Sequence, residues 1–126
     1  MMTHKFTLKL AALFGALSVM IGAFGAHGLK ELLLANQRLD VFEKAVTYQF
    51  YHTLVLFLVA ILMKPYASKY LCWSARFFVF GILIFSGSLY VLALTNHLFI
   101  GAITPVGGVF FILGWLSLFR FAYMDL

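Results

Sequence analysis

The sequence predicts an all-α integral membrane protein: four transmembrane helices in a bundle, with one interfacial amphipathic helix between helices 1 and 2. Two observations carry this. The chain of 126 residues is 64% hydrophobic and holds only nine basic and four acidic side chains, too few to clothe a water-soluble globule in polar surface. Its apolar residues gather into four long runs, and a bilayer core about 30 Å thick takes about 20 of them per helix. The length therefore fits one membrane domain covering residues 1–126, with spans near 10–28, 45–63, 77–95 and 102–120.

The first span follows Lys5 and Lys9, after which Leu10 to Ala26 carries no charge. A basic start and small residues also suit a secretory signal peptide. The run outlasts the roughly 7–15 apolar residues of a signal core, and no clean Ala-x-Ala site follows it, so it is expected to remain as a span. Ala11, Gly15, Ser18, Gly22, Gly25 and Ala26 fall on one helical stripe, and such small faces let backbones approach closely in lipid. The stripe ends in Gly25-Ala26-His27-Gly28, a break toward the next element.

Lys30 to Lys44 is the one densely charged stretch, and Leu32, Ala35, Leu39, Phe42 and Val46 recur in it at steps of three and four. This is the expected interfacial amphipathic helix, with an extension of the second span as the competing reading. The second span, Ala45 to Met63, opens with Tyr48, Gln49 and His52 on one arc, continued by Leu56, Val59 and Met63. Polar groups at membrane depth need partners, so this arc should face protein or water.

The third span contains Gly81, Ser88 and Thr95 at seven-residue steps, a second small stripe, while Ser86 and Tyr90 point elsewhere. The fourth opens at Thr104-Pro105, which reads either as a cap followed by a first-turn proline or as a kink inside a longer helix beginning near Leu98, and Gly107 and Gly114 keep the seven-residue habit. Gly15, Gly22, Gly25, Gly81, Gly107 and Gly114 are accordingly the expected helix-packing positions.

Lys5, Lys9, Lys64, Lys69, Arg76 and Arg120 flank one side of the four spans, and Lys30, Arg38 and Lys44 the other. Six against three predicts both termini in the cytoplasm. This orientation sets His27, Tyr48, Gln49, His52, Ser88 and Thr104 at one depth in the outer half, where they form the candidate ligand-binding cluster. His27 lies at the edge of the small face of helix 1, a position from which it is a candidate to meet His52.

The function classes narrow on chemical grounds. Two histidines on adjacent helices could bracket a haem or a metal, but the spans hold no carboxylate and offer no third ligand, so no metal or cofactor is expected. Intramembrane Asp or Glu for proton coupling is missing as well. The hydroxyls of Ser86, Ser88 and Thr104 have no positioned base, and the basic residues form no nucleic-acid motif. The single Cys72 excludes an intrachain disulfide.

The segments GAFGAHGLK (22–30), AVTYQFYHTL (45–54), FSGSLYVLAL (85–94) and GAITPVGGVFFILGW (101–115) resemble the signature segments of the domain of unknown function 423 family, and the chain is similar to the vertebrate transmembrane protein 256. The resemblance touches every span and includes Gly22, Gly25, His27, Gly28, Tyr48, Gln49, Tyr51, His52, Ser86, Gly87, Ser88, Tyr90, Thr104, Pro105, Gly107 and Gly108. It implies a small four-span protein of the bacterial inner membrane and transfers no catalytic residues. The expectation is a non-enzymatic membrane protein whose outer polar cluster takes a small ligand, a lipid headgroup or a partner helix. A transporter or channel component, working as a homo-oligomer through the small face of helix 1, is the alternative, and an intramembrane enzyme or a haem or metal protein the third. Membrane lipids are the expected partners in every case.

Overall fold

The computed structural model describes Met1–Leu126 and is helical from end to end. Helix α1 spans His4–Ala26, capped by Thr3, whose hydroxyl accepts the Phe6 N–H at 3.2 Å. A single helical turn and a half follows as α2, Lys30–Ala35, and α3 runs Leu39–Leu62. The third span is compound: α4, Lys69–Gly81, passes through a π-helical turn at Ile82–Ser86 into α5, Gly87–Thr95. A 3-10 turn at Leu98–Ala102 leads into α6, Thr104–Met124.

Three helices outrun the charge-free runs, because α1, α3 and α4 begin before those runs do. At 1.5 Å per residue the spans extend about 30–40 Å, enough to cross a core of about 30 Å with one or two turns to spare. Those extra turns carry Lys5, Lys9, Lys69 and Arg76, whose side chains are long enough to reach water or headgroups from helical positions.

Helix α1 packs along α3, α4 packs along α6, and α3 lies between the two pairs. One core, including Phe14, Leu56, Val59, Leu71, Phe78, Phe111 and Phe121, fills the middle and the end that holds the chain termini. That end is tied by Ser68, whose hydroxyl donates to the Asp125 carboxylate, and by Tyr66 edge-on to Phe121 at 5.3 Å. A smaller cluster of Leu33, Phe42 and Ala93 closes the opposite end.

The α4–α6 seam interlocks reciprocally. A Cβ on Gly81 would strike the ring of Phe111, and a Cβ on Gly114 would come within 2.7 Å of the ring of Phe78. Each glycine of one helix thus receives an aromatic ring of the other, and Ser74 adds a hydrogen bond to the Gly114 carbonyl at 2.9 Å. Gly25 likewise receives the Phe42 ring, whereas Gly15 and Gly22 have neighbours at 3.7 and 3.4 Å, ordinary or slightly tight contacts.

Two local expectations are corrected. The amphipathic stretch Lys30–Lys44 is not one helix: only Lys30–Ala35 forms α2, and from Leu39 onward the chain belongs to α3. Gln37, with φ 56°, makes the break. The reason lies in α5, whose last carbonyls need donors. The Asn36 amide supplies them, at 2.9 Å to Ala93 O and 3.3 Å to Leu94 O, while Arg38 Nε donates to Asn96 Oδ1 at 3.0 Å. Leu33, not Leu32, is the residue this docking buries completely. The second correction concerns Thr104, which sits inside the first turn of α6 rather than capping it; Ile103 holds the cap position and contributes no side-chain bond. The Thr104 hydroxyl is engaged elsewhere.

Candidate functional site

Three short hydrogen-bonded chains hold most of the polar residues singled out in the sequence, and each crosses from one helix to another. The first joins α5, α3 and α1: Tyr90 Oη donates to Gln49 Oε1 at 2.6 Å, and Gln49 Nε2 donates to Phe14 O at 3.0 Å. Gln49 is buried, and Ser18 Oγ shares the same Phe14 carbonyl at 2.7 Å. An amide suits this place because it both accepts and donates, so one side chain satisfies two neighbouring helices.

The second chain joins α6 to α3. Trp115 Nε1 donates to His52 Nε2 at 3.2 Å, which leaves Nδ1 carrying the proton, and Nδ1–H donates to Tyr48 O at 2.8 Å. An indole N–H can only donate, so the neutral tautomer protonated on Nδ1 is the one that satisfies both contacts. The imidazole lies flat on Phe111, centroids 3.6 Å apart and planes 10° apart, and edge-on to Trp115. Tyr48 stacks beside it against Phe85 at 4.8 Å and is itself 39% exposed.

The third joins α5 to α6. Ser88 Oγ donates to Phe85 O at 3.0 Å, so across the 2.6 Å contact between Ser88 and Thr104 the threonine is the donor. Nearby, Ser86 Oγ reaches across to Ala45 O at 2.8 Å. These contacts cluster around the π-helical turn, whose wider coil carries Phe85 and Ser86 into the interior.

His27 does not join them. Its backbone N–H closes α1 onto Ala23 O and Phe24 O, and its imidazole is exposed at the end of the bundle. The small face of α1 is turned toward α3, with Ala11, Ser18 and Gly25 buried there.

Chemically, this interior holds the fold together and leaves little for a reaction. The Ser86, Ser88 and Thr104 hydroxyls are bonded to carbonyls or to each other. Both His52 nitrogens are in use, so a metal bound at Nε2 would have to displace the Trp115 N–H. Replacing His52 with phenylalanine keeps the stack on Phe111 but strands that N–H. We expect a loss of about 1 kcal/mol, measurable as earlier thermal unfolding in detergent, together with a shifted indole emission. Unchanged unfolding would mean the contact contributes nothing.

Sequence reasoning missed Trp115 and Asn36, and also Thr53, whose buried hydroxyl has no hydrogen-bond partner. Tryptophan in a membrane chain reads first as an interfacial anchor. A residue that serves backbone carbonyls, as Asn36 does, leaves no mark in any side-chain pattern.

The open grooves lie on the perimeter of the bundle. One, of about 310 Å³, runs between α1 and α3 at the end opposite the termini, floored by Gly22, Gly25 and Ala26 and walled by Phe42, Glu43, Val46 and Thr47. It continues along the same seam past Ser18 and Phe50. Another, of about 360 Å³, lies between α1 and α4 at the basic end.

Comparison with known proteins agrees with this architecture. The chain is 50% identical over 115 residues to the UPF0382 membrane protein SSP2132 of Staphylococcus saprophyticus, covering 88% of this chain and 94% of that protein. It is 40% identical over 114 residues to the UPF0382 inner membrane protein YgdD of Escherichia coli K12, covering 90% and 86%. No solved structure matches it. The family described as "Protein of unknown function (DUF423)" matches residues 21–108, and with four membrane-crossing helices and relatives named as membrane proteins, the chain belongs to that family.

Proposed function

We propose that this is a non-enzymatic protein of the bacterial inner membrane, with both termini in the cytoplasm, that works by binding a lipid headgroup bearing a primary amine. The groove between α1 and α3 carries the reading. Glu43 and Thr47 are one turn apart on α3 and both line it, which sets a carboxylate and a hydroxyl on one wall as acceptors for N–H. Gly22, Gly25 and Ala26 make a floor low enough for close approach, and Phe42 and Val46 supply an apolar wall for the glycerol and acyl portion. The polar interior supports the same view from the other side, since apart from Thr53 its side chains are taken up by one another and by backbone carbonyls, which leaves the perimeter to meet ligands.

Native mass spectrometry of the full chain released from nanodiscs tests this. From equal phosphatidylethanolamine and phosphatidylcholine, the protein should retain the ethanolamine lipid in preference, because a quaternary ammonium has no N–H to give. Glu43→Gln should cut that preference roughly threefold, the size of an exposed charge pair. Equal retention of the two lipids by the unaltered protein would overturn the reading.

A further inference from the structure

The opposite end of the molecule points to a different ligand. Lys5, Lys9, Lys64, Lys69, Arg76 and Arg120 gather there against Asp125, whereas Lys30, Arg38 and Lys44 are matched by Glu31, Asp40 and Glu43 at the far end. The whole net charge of +5 therefore sits at the end that holds the termini.

Within that end, Arg76 differs from the rest because it lines a cleft. Helix α1 packs on α3 and α4 on α6, and the space left between α1 and α4 is walled by Phe6 and Leu10 on one side and by Arg76, Val79 and Phe80 on the other. Both helices rise from the basic end, and both sets of residues recur at helical steps of three and four. The cleft is thus a slot with its one cationic side chain at the mouth, where Met1 and Met2 complete the lining, and only apolar side chains deeper in.

The depth is right for a phosphate. From Phe77 to Thr95 the chain is free of charge for about 28 Å, one hydrocarbon thickness, which places Arg76 at the boundary with the headgroups. Its guanidinium lies 5.0 Å from the centre of the Trp73 ring, and that ring is itself half exposed at the interface. A ring face engages the cation but takes none of its five N–H donors, which remain free for a forked contact with oxygen.

We infer that the α1–α4 cleft seats an anionic phospholipid, with its phosphate on Arg76 and one acyl chain along Phe6, Leu10, Val79 and Phe80. An anionic headgroup is favoured over a zwitterionic one because six cationic side chains against the one carboxylate of Asp125 leave this end net positive. The inference concerns the other end of the bundle from the amine-binding groove and stands independently of it.

The test is retention of phosphatidylglycerol against phosphatidylcholine by the full chain released from mixed nanodiscs, read by native mass spectrometry. Arg76→Gln should lower the selectivity roughly tenfold, the loss of a charge-assisted bidentate contact. Arg76→Lys, which keeps the charge but not the fork, should fall between. Arg120→Gln is the control: it removes the same charge from the same end, but its guanidinium lies over Tyr70 and outside the cleft, so selectivity should change less than twofold. Equal losses from Arg76→Gln and Arg120→Gln would reduce the effect to general surface charge and overturn the site. So would an absence of selectivity in the unaltered protein, or a cleft found filled by a helix of a second copy.

Discussion

Replacing Gly107 with alanine should cost the bundle about 3 kcal/mol, and replacing it with leucine should prevent the fourth span from docking. The reason is what the added carbon would meet. At Gly25, Gly81 and Gly114 the obstacle is a phenylalanine ring, which can tilt; at Gly107 it is the backbone of Phe85, with the Phe85 Cα 2.6 Å from the new Cβ. Backbone inside a helix cannot rotate away, so the two helices would have to separate. That separation would weaken the Ser88–Thr104 bond and loosen the interlock of Gly81 and Gly114 with their rings. Gly87→Ala is the reference, because nothing lies within 4 Å of its added carbon, and removing a helical glycine gains up to about 1 kcal/mol. Thermal unfolding in detergent, followed by circular dichroism, separates the two. A Gly107→Ala protein as stable as the parent would refute the claim of backbone contact.

That seam was legible in the sequence because a seven-residue recurrence of small residues survives as a single face of a helix. Gly107 and Gly114 both bury against the third span, and Gly81 and Ser88 both turn to α6, on either side of the π-helical turn. The turn itself left no trace, since Ile82 to Ser86 is as apolar as its flanks, and the turn contacts α3 and α6, elements far from it in the chain. Helix ends lie beyond the charge-free runs for a different reason: α4 begins at Lys69 and carries Arg76, since a long cationic side chain can stay on the helix and still reach water. The loop between α1 and α3 was misjudged because its organising contact, Asn36 to the end of α5, joins residues far apart in the chain through backbone carbonyls. Among the candidate site residues, Tyr48, Gln49, His52, Ser88 and Thr104 were identified by their cost in lipid. Cost alone demands partners and does not say whether the partner is a ligand or another helix.

For Gln49 the distinction can be measured. Gln49→Leu removes the acceptor for Tyr90 and the donor to Phe14 O; with a half-buried phenol and a buried carbonyl each losing a partner, the expected loss is about 2 kcal/mol. Tyr90→Phe keeps the ring against Phe42, 5.3 Å away, and strands only the Gln49 oxygen, for about 1 kcal/mol. Because deleting both partners of a hydrogen bond is far cheaper than deleting one, the Gln49→Leu/Tyr90→Phe protein should be no less stable than Gln49→Leu alone. Steric-trap unfolding of the four proteins in the same detergent supplies the cycle. Simple additivity would mean that Gln49 and Tyr90 act separately, and the polar interior could no longer be read as one interhelical brace. A Gln49→Leu protein of unchanged stability would say more, since a buried amide that contributes nothing to the fold is being retained for something it binds.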